Sequence, residues 1–323
     1  MNSSQHIFLT GGTGFFGRSL LRFQINKYPE GTDCPTVTVL TRSSEKFLAQ
    51  YPEFLSIPWL NFHTGDICEK NTLLHDKSFT HILHAAADST LGPKLTPLQR
   101  YDQIVIGTRN ILDLAVSCGV KRLLFTSSGA VYGTQPAHLD RIPEDFNGIP
   151  DPLNPQNAYG IGKRTAEHLC ALYGQEFSID TVIARCFAFV GQDLPLDVHF
   201  AIGNFIRDAL WNDEIIVHGD GSPYRSYLDQ HDLAGWLFTL LERGQGGQAY
   251  NVGSDEAITI KDLAHLVRDI VAPDKPVRIL GEMASHKERN VYVPNINRIK
   301  KELGLDVRIP LEESIRKTAI AVS

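Results

Sequence analysis

Short apolar runs recur along the first half of the chain, and each is followed by a stretch of longer period. Residues 6–10, 36–40, 80–87 and 120–128 are short, largely apolar runs bounded by turn residues, the pattern of buried strands, and 61–67 reads as a further strand. After the first run, Leu20, Leu21 and Phe23 supply the apolar positions of a helix, and residues 98–118 form a long amphipathic helix closed by Gly119. Strand and helix in alternation predict an α/β fold with a doubly wound parallel sheet. Beyond Gly191 the alternation breaks down. A Pro- and Asp-bearing stretch at 192–198 leads to a helix at 201–211, a strand at 214–218 and a turn cluster at 219–223. A helix at 259–270, a strand at 291–294 and a helix at 299–303 close the chain. The expected division is residues 1–185, then a smaller mixed α/β domain at 186–323, with scope for strands to exchange between them.

Composition narrows the class. A chain of 323 residues with 42% hydrophobic and 21% charged positions has the make-up of a soluble globular protein of one large or two joined domains. A net charge of −6 offers no basic footprint, so nucleic acid is not an expected partner. No eighteen apolar residues run together, and residues 1–5 are polar, so neither a membrane span nor a signal peptide is expected. Cys34, Cys68, Cys118, Cys170 and Cys186 are scattered without a framework spacing, as in a reducing, cytoplasmic setting.

Two segments carry candidate chemistry. The first strand meets Gly11-Gly12-Thr13-Gly14-Phe15-Phe16-Gly17, a G-x-x-G-x-x-G turn opening a helix. Gly11 permits the tight turn, Gly14 the close approach of a pyrophosphate, and Gly17 the packing of helix on sheet, while the helix N-terminus offers N–H groups to phosphate. A dinucleotide is therefore expected here, where a plain strand–helix turn is the bland alternative. The second strand ends at Thr41-Arg42-Ser43. An NAD site usually has a carboxylate at this place; a guanidinium suits a 2′-phosphate instead. NADP(H) is favoured on that ground, with NAD(H) as the alternative if Arg42 merely stacks on adenine. Asp66, followed by Ile67, is placed to accept from an adenine amino group, and the small residues Ala85, Ala86 and Ala87 would let backbone approach the cofactor. His81 and His84 form H-x-x-H, but strand geometry sends the two rings to opposite faces, so no metal site is expected.

The second segment joins Ser127-Ser128-Gly129-Ala130-Val131-Tyr132 to Tyr159-Gly160-Ile161-Gly162-Lys163. Tyr159 and Lys163 lie one helical turn apart. An ammonium beside a phenol favours the phenolate, and a nearby hydroxyl can pass a hydrogen bond to a substrate oxygen. Tyr-x-x-x-Lys alone describes many solvated helix faces; the preceding glycine turn and hydroxyl-bearing strand end give it chemical meaning.

These residues resemble the extended short-chain dehydrogenase/reductases of the nucleotide-sugar epimerase/dehydratase group. The likeness rests on the glycine turn, Asp66-Ile67, His84-Ala85-Ala86, Gly107-Thr108, the run from Ser128 to Gly133, Tyr159/Lys163 and Arg185. It continues through Arg225-Ser226-Tyr227, Asp232 and Tyr250-Asn251-Val252-Gly253. It implies a Rossmann-type fold with a smaller C-terminal substrate-binding domain, and a catalytic trio of Ser128, Tyr159 and Lys163, with Ser127 as the register alternative. It also implies cofactor contacts from Thr126 and Phe187. Substrate contacts are implied from Gly129, Ala130, Ala188, His199, Phe200, Tyr224, Arg225 and Arg289. The expected partner is a nucleotide-diphosphate sugar, and the expected assembly a homodimer through the helices near 98–118 and 158–173. Three departures matter. Gly129 and Ala130 stand where a 4,6-dehydratase carries Asp-Glu, which excludes that acid–base dehydration. Ile104 and Ala188 each replace a usual Asn. The expected activity is reduction of a nucleotide-linked 4-keto-6-deoxyhexose, the alternative a C4 epimerase, and the third reading a non-catalytic cofactor sensor.

Overall fold

The computed structural model describes residues 1–29, 33–75, 77–87, 95–198, 200–282 and 290–323. Its main feature among them is a seven-stranded parallel sheet in the order β11-β6-β5-β4-β1-β2-β3. The strands are β1 (His6–Thr10), β2 (Thr36–Thr41), β3 (Leu60–Thr64), β4 (His81–His84), β5 (Arg122–Ser128), β6 (Asp180–Cys186) and β11 (Ala249–Val252). In register, Thr10 lies opposite Leu40 on one side and His84 on the other. The strand order reverses between β1 and β4, the place where open α/β sheets hold their ligands beyond the strand ends.

The helices follow from local sequence. Helix α1 (Phe15–Lys27) starts at Gly14 and buries Leu20 and Leu21. Helix α3 (Pro97–Ser117) begins with a full capping box, Thr96 with Gln99, and has Pro97 in its first turn. Gly119 then takes a positive φ of 66° and turns the chain into β5. Helix α4 (Ala158–Phe177) packs against α3 and ends at Ser178 in the left-handed region. Phe8, Ile82, Leu123 and Phe125 of the sheet join Ile111 and Leu112 of α3 in one buried cluster. Each such side chain contributes about 1.5–3 kcal/mol by leaving water.

By compactness the chain divides into two units. One comprises Met1–Val131, Ile149–Arg185 and Ala234–Tyr250; the other comprises Tyr132–Gly148, Cys186–Leu233 and Asn251–Ser323. The second unit contains α5 (Ala201–Trp211), the parallel pair β8 (Ile215–Val217) with β13 (Val277–Ile279), and helix α7 (Ile260–Val271). It also holds the short strands β7 (Phe189–Val190), β9 (Tyr224–Arg225), β10 (Leu228–Asp229), β12 (Ile258–Thr259) and β14 (Val291–Tyr292). Helix α6 (Gln230–Arg243) begins in this unit and continues into the first.

Several elements differ from the sequence expectation. The strand expected at 61–67 stops at Thr64, because Gly65 turns under Thr72, whose carbonyl would lie 2.6 Å from an added Cβ. The strand expected at 80–87 is only His81–His84; Ala85, Ala86 and Ala87 lie beyond it, and the Ala85–Ala86 peptide passes against Gly11. Helices α2 (Ser44–Gln50) and α9 (Leu311–Val322) were not expected; α8 (Asn297–Leu303) precedes α9.

Candidate active site

The glycine turn leaves β1 with no room for side chains. Gly11 has φ of 72°, and a Cβ there would come within 2.5 Å of the Ala85 carbonyl. A Cβ on Gly17 would meet the Gly12 backbone at 2.2 Å, so α1 rests directly on the turn. Gly14 is different: its Cβ would meet only the Gly11 carbonyl, at 3.5 Å. No side chain caps α1, and no carboxylate lies in its first turn. This is a cradle suited to a pyrophosphate at a helix N-terminus. Thr13 closes the turn through its carbonyl, which accepts from Arg18 at 3.2 Å, and the Arg18 guanidinium lies over the Tyr51 ring. Phe15 and Phe16 stand half-buried beside it.

His84 braces the turn from below. Its Nδ1 is 2.7 Å from the Thr10 hydroxyl and its Nε2 3.1 Å from that of Thr108 on α3. The Thr10 hydroxyl also accepts from the Ala86 N–H, and the His84 carbonyl accepts from Thr126 Oγ1. Full burial, aided by the Lys163 charge, pushes the imidazole down to about 3, so it is neutral at pH 7. No set of three or more His, Cys, Asp or Glu side chains gathers as a metal site among the described residues.

At the end of β2, Thr41 is buried and its hydroxyl accepts from the Ser43 N–H, while Ser43 caps α2. Arg42 between them is exposed. Asp66 is shaped by its own turn, its carboxylate accepting from Cys68 N–H and its N–H donating to Thr72 Oγ1. Ile67 is buried and packs where Gly107 leaves space.

The strand end of β5 and the first turns of α4 form the third part. Lys163 is 2% exposed; its Nζ donates to the Thr126 carbonyl at 2.7 Å and lies 4.7 Å from the Phe125 ring centre. The same ammonium is 6.0 Å from the Tyr159 ring centre. Ser127 and Ser128 face opposite sides of the strand, as their alternation requires. Ser127 donates to Glu167 at 2.5 Å, whereas Ser128 Oγ accepts from the Ala130 N–H at 3.2 Å. The 3-10 turn Gly129–Tyr132 follows, held from α4 by Arg164, which donates to the Val131 carbonyl. Gly160 fits against the Ala130 carbonyl, 2.7 Å from where a Cβ would stand. Sequence reasoning assigned no role to Glu167, Thr10 or Arg164. Glu167 was in principle legible, standing four residues beyond Lys163 on the same helical stripe.

The second unit holds the other expected contacts. Phe187 lies tilted against Tyr292, ring centres 4.7 Å apart, and the Tyr292 ring also lies under the Arg225 guanidinium. Arg225 donates to the Tyr224 carbonyl and to Asn290 Oδ1. Ala188 and Phe200 are half-buried. His199 and Arg289 lie outside the described residues.

Sheet order, glycine turn and switch point define a Rossmann-type α/β protein. The chain belongs to the NAD dependent epimerase/dehydratase family, whose model matches residues 7–253. It is an enzyme of the extended short-chain dehydrogenase/reductase type. UDP-glucuronic acid decarboxylase 6 of Arabidopsis thaliana is 28% identical over 314 residues, covering 97% of this chain and 87% of that one. UDP-glucuronic acid decarboxylase 1 of Danio rerio is 32% identical over 222 residues, 69% of this chain. The matched region spans about half (52%) of the Danio rerio protein's length. Among solved structures, a UDP-glucose 4-epimerase from Thermotoga maritima with UDP-glucose superposes with a TM-score of 0.81 at 22% identity, covering 98% of both chains. At that identity the likeness shows the fold alone.

Proposed function

We propose that the protein transfers hydride at C4 of a nucleotide-linked sugar, with net reduction of a 4-keto-6-deoxyhexose as its outcome. The observation that carries this reading is the buried Lys163 ammonium, fixed on the Thr126 carbonyl one helical turn from Tyr159. When bound, the reduced nicotinamide supplies the hydride. Tyr159 gives its phenolic proton to the C4 oxygen, so that carbonyl, hydride and proton together become the alcohol. Ser128 aligns that oxygen, and Lys163 supplies the positive charge that favours the phenolate left behind. Gly129 and Ala130 carry no acid or base, which argues against elimination at the neighbouring carbons.

Exposed Arg42, with no carboxylate at the end of β2, supports NADP(H). The pyrophosphate would rest at Gly14 and Phe15, adenine beside Asp66 and Ile67, and the nucleotide diphosphate on Arg225. The two compact units would then serve mainly as cofactor and substrate halves. Exposed Leu98 and Ile106 on α3, with Leu172 and Phe177 on α4, support a homodimer through these helices. A second reading, C4 epimerisation with retained NAD, uses the same trio and is favoured by the family's NAD dependence. The names of the curated relatives suggest a third. A 4-keto group would make a C5 carboxylate a β-keto acid, so decarboxylation could begin with the same oxidation.

Tyr159→Phe tests the shared step. Turnover should fall by at least about a hundredfold while NADPH binding, followed by fluorescence, stays within about twofold. Wild-type turnover in this variant would remove Tyr159 from the chemistry.

A further inference from the structure

One buried cluster beside the trio takes no part in the chemistry above. Glu167 on α4 accepts from Ser127 Oγ at 2.5 Å and, through both oxygens, from Arg185 of β6, whose Nε and terminal nitrogen stand 3.0 and 2.8 Å away. The two charged side chains are only 15% (Arg185) and 12% (Glu167) exposed. A bidentate pair so placed has a fixed orientation, and the orientation is passed on. The Ser127 side chain cannot rotate while it holds the carboxylate, and its neighbours in the strand are the Thr126 carbonyl that receives Lys163 and the Ser128 hydroxyl. One helix thus grips one strand end twice. Lys163 takes a backbone oxygen and lies over the Phe125 ring, and Glu167, a turn further on, takes the side chain of Ser127, which shares a strand face with Phe125.

We infer that Glu167, oriented by Arg185, is a positioning residue. It locks Ser127 so that β5 presents the Thr126 carbonyl to Lys163 and Ser128, rather than Ser127, to the reacting end of the cofactor. The inference rests on the cofactor reading above, and it predicts a spatially selective defect. Unlocking Ser127 disturbs the nicotinamide end, where Tyr159 and Lys163 lie, and leaves the glycine turn and Arg42 as they are.

The test compares two probes on the full chain: NADPH, which reaches both ends, and 2′,5′-ADP, which reaches only the adenosine end. In Glu167→Gln and in the milder Ser127→Ala, the NADPH Kd should rise by about three- to tenfold, the scale of one lost hydrogen bond. The Kd for 2′,5′-ADP should stay within about twofold. The double variant should be no worse than Glu167→Gln alone, since both changes cut the same link. Ser127→Ala removes only a hydroxyl and carries the test should Glu167→Gln fail to fold. Folded variants that bind both probes as the wild type does would overturn the inference, as would equal losses for both probes, which mark a merely structural role. A wild-type protein binding neither NADPH nor NAD would instead overturn the cofactor reading, and this inference with it.

Discussion

His84 shows how much one residue reports. A histidine at a strand end in an H-x-x-H pattern invites thoughts of metal, yet both ring nitrogens face threonine hydroxyls and the ring is fully buried. Its folded value near 3 lies below the ordinary 6.5, so the unfolded chain binds the extra proton between those limits. Stability from this group is therefore complete above about pH 6.5 and is lost as pH falls towards 3. The expected slope is up to about 1.4 kcal/mol per pH unit for one proton. Urea unfolding at pH 7 and pH 5 should show a smaller loss of stability in His84→Asn than in the wild type. Equal losses would mean that the ring titrates normally.

At the scale of elements, the glycine turn separates packing from binding. Gly17→Ala drives a methyl group into the Gly12 backbone and should cost about 1–3 kcal/mol, lowering the thermal midpoint by several degrees. Gly14→Ala meets nothing closer than 3.5 Å, so stability should hardly change while dinucleotide affinity falls. Calorimetry and fluorescence titration together read the two effects. Legibility followed the same division. Strand β1 and helix α5 were readable to their ends, because turn residues bound an unbroken apolar run in one and a clear helical stripe in the other. Helix α2 was not, since Phe47 is the only residue it buries and two turns show no period. Helix α9 hides for another reason: its inner face mixes the hydroxyl-bearing Ser314 and Thr318 with Ile315 and Ala319, so its apolar stripe is broken. The two-residue strands of the second unit are too short to alternate at all. In the site, the Tyr159–Lys163 spacing was plain and Ser128 was preferred to Ser127, but the link from Ser127 through Glu167 to Arg185 was not legible, because Arg185 is distant in sequence.

For the whole molecule, association is read from its mass in solution. Light scattering should give twice the 35.9 kDa chain mass, and Ile106→Glu, placing a charge among the exposed apolar residues of α3 and α4, should give the single chain. A wild-type monomer would remove those faces from any role in assembly. Among the described residues no helix is long and apolar enough to cross a membrane. Net hydride delivery to a sugar C4 is tested by following the hydrogen itself. The protein would be incubated with NADPH deuterated at nicotinamide C4 and dTDP-4-keto-6-deoxyglucose, with UDP-glucose and UDP-glucuronate as parallel probes. Net reduction places deuterium at C4 of the reduced sugar and releases an equal amount of free NADP. Tightly held NAD with no deuterium transferred, accompanied by interconversion of UDP-glucose or loss of CO2 from UDP-glucuronate, would contradict it.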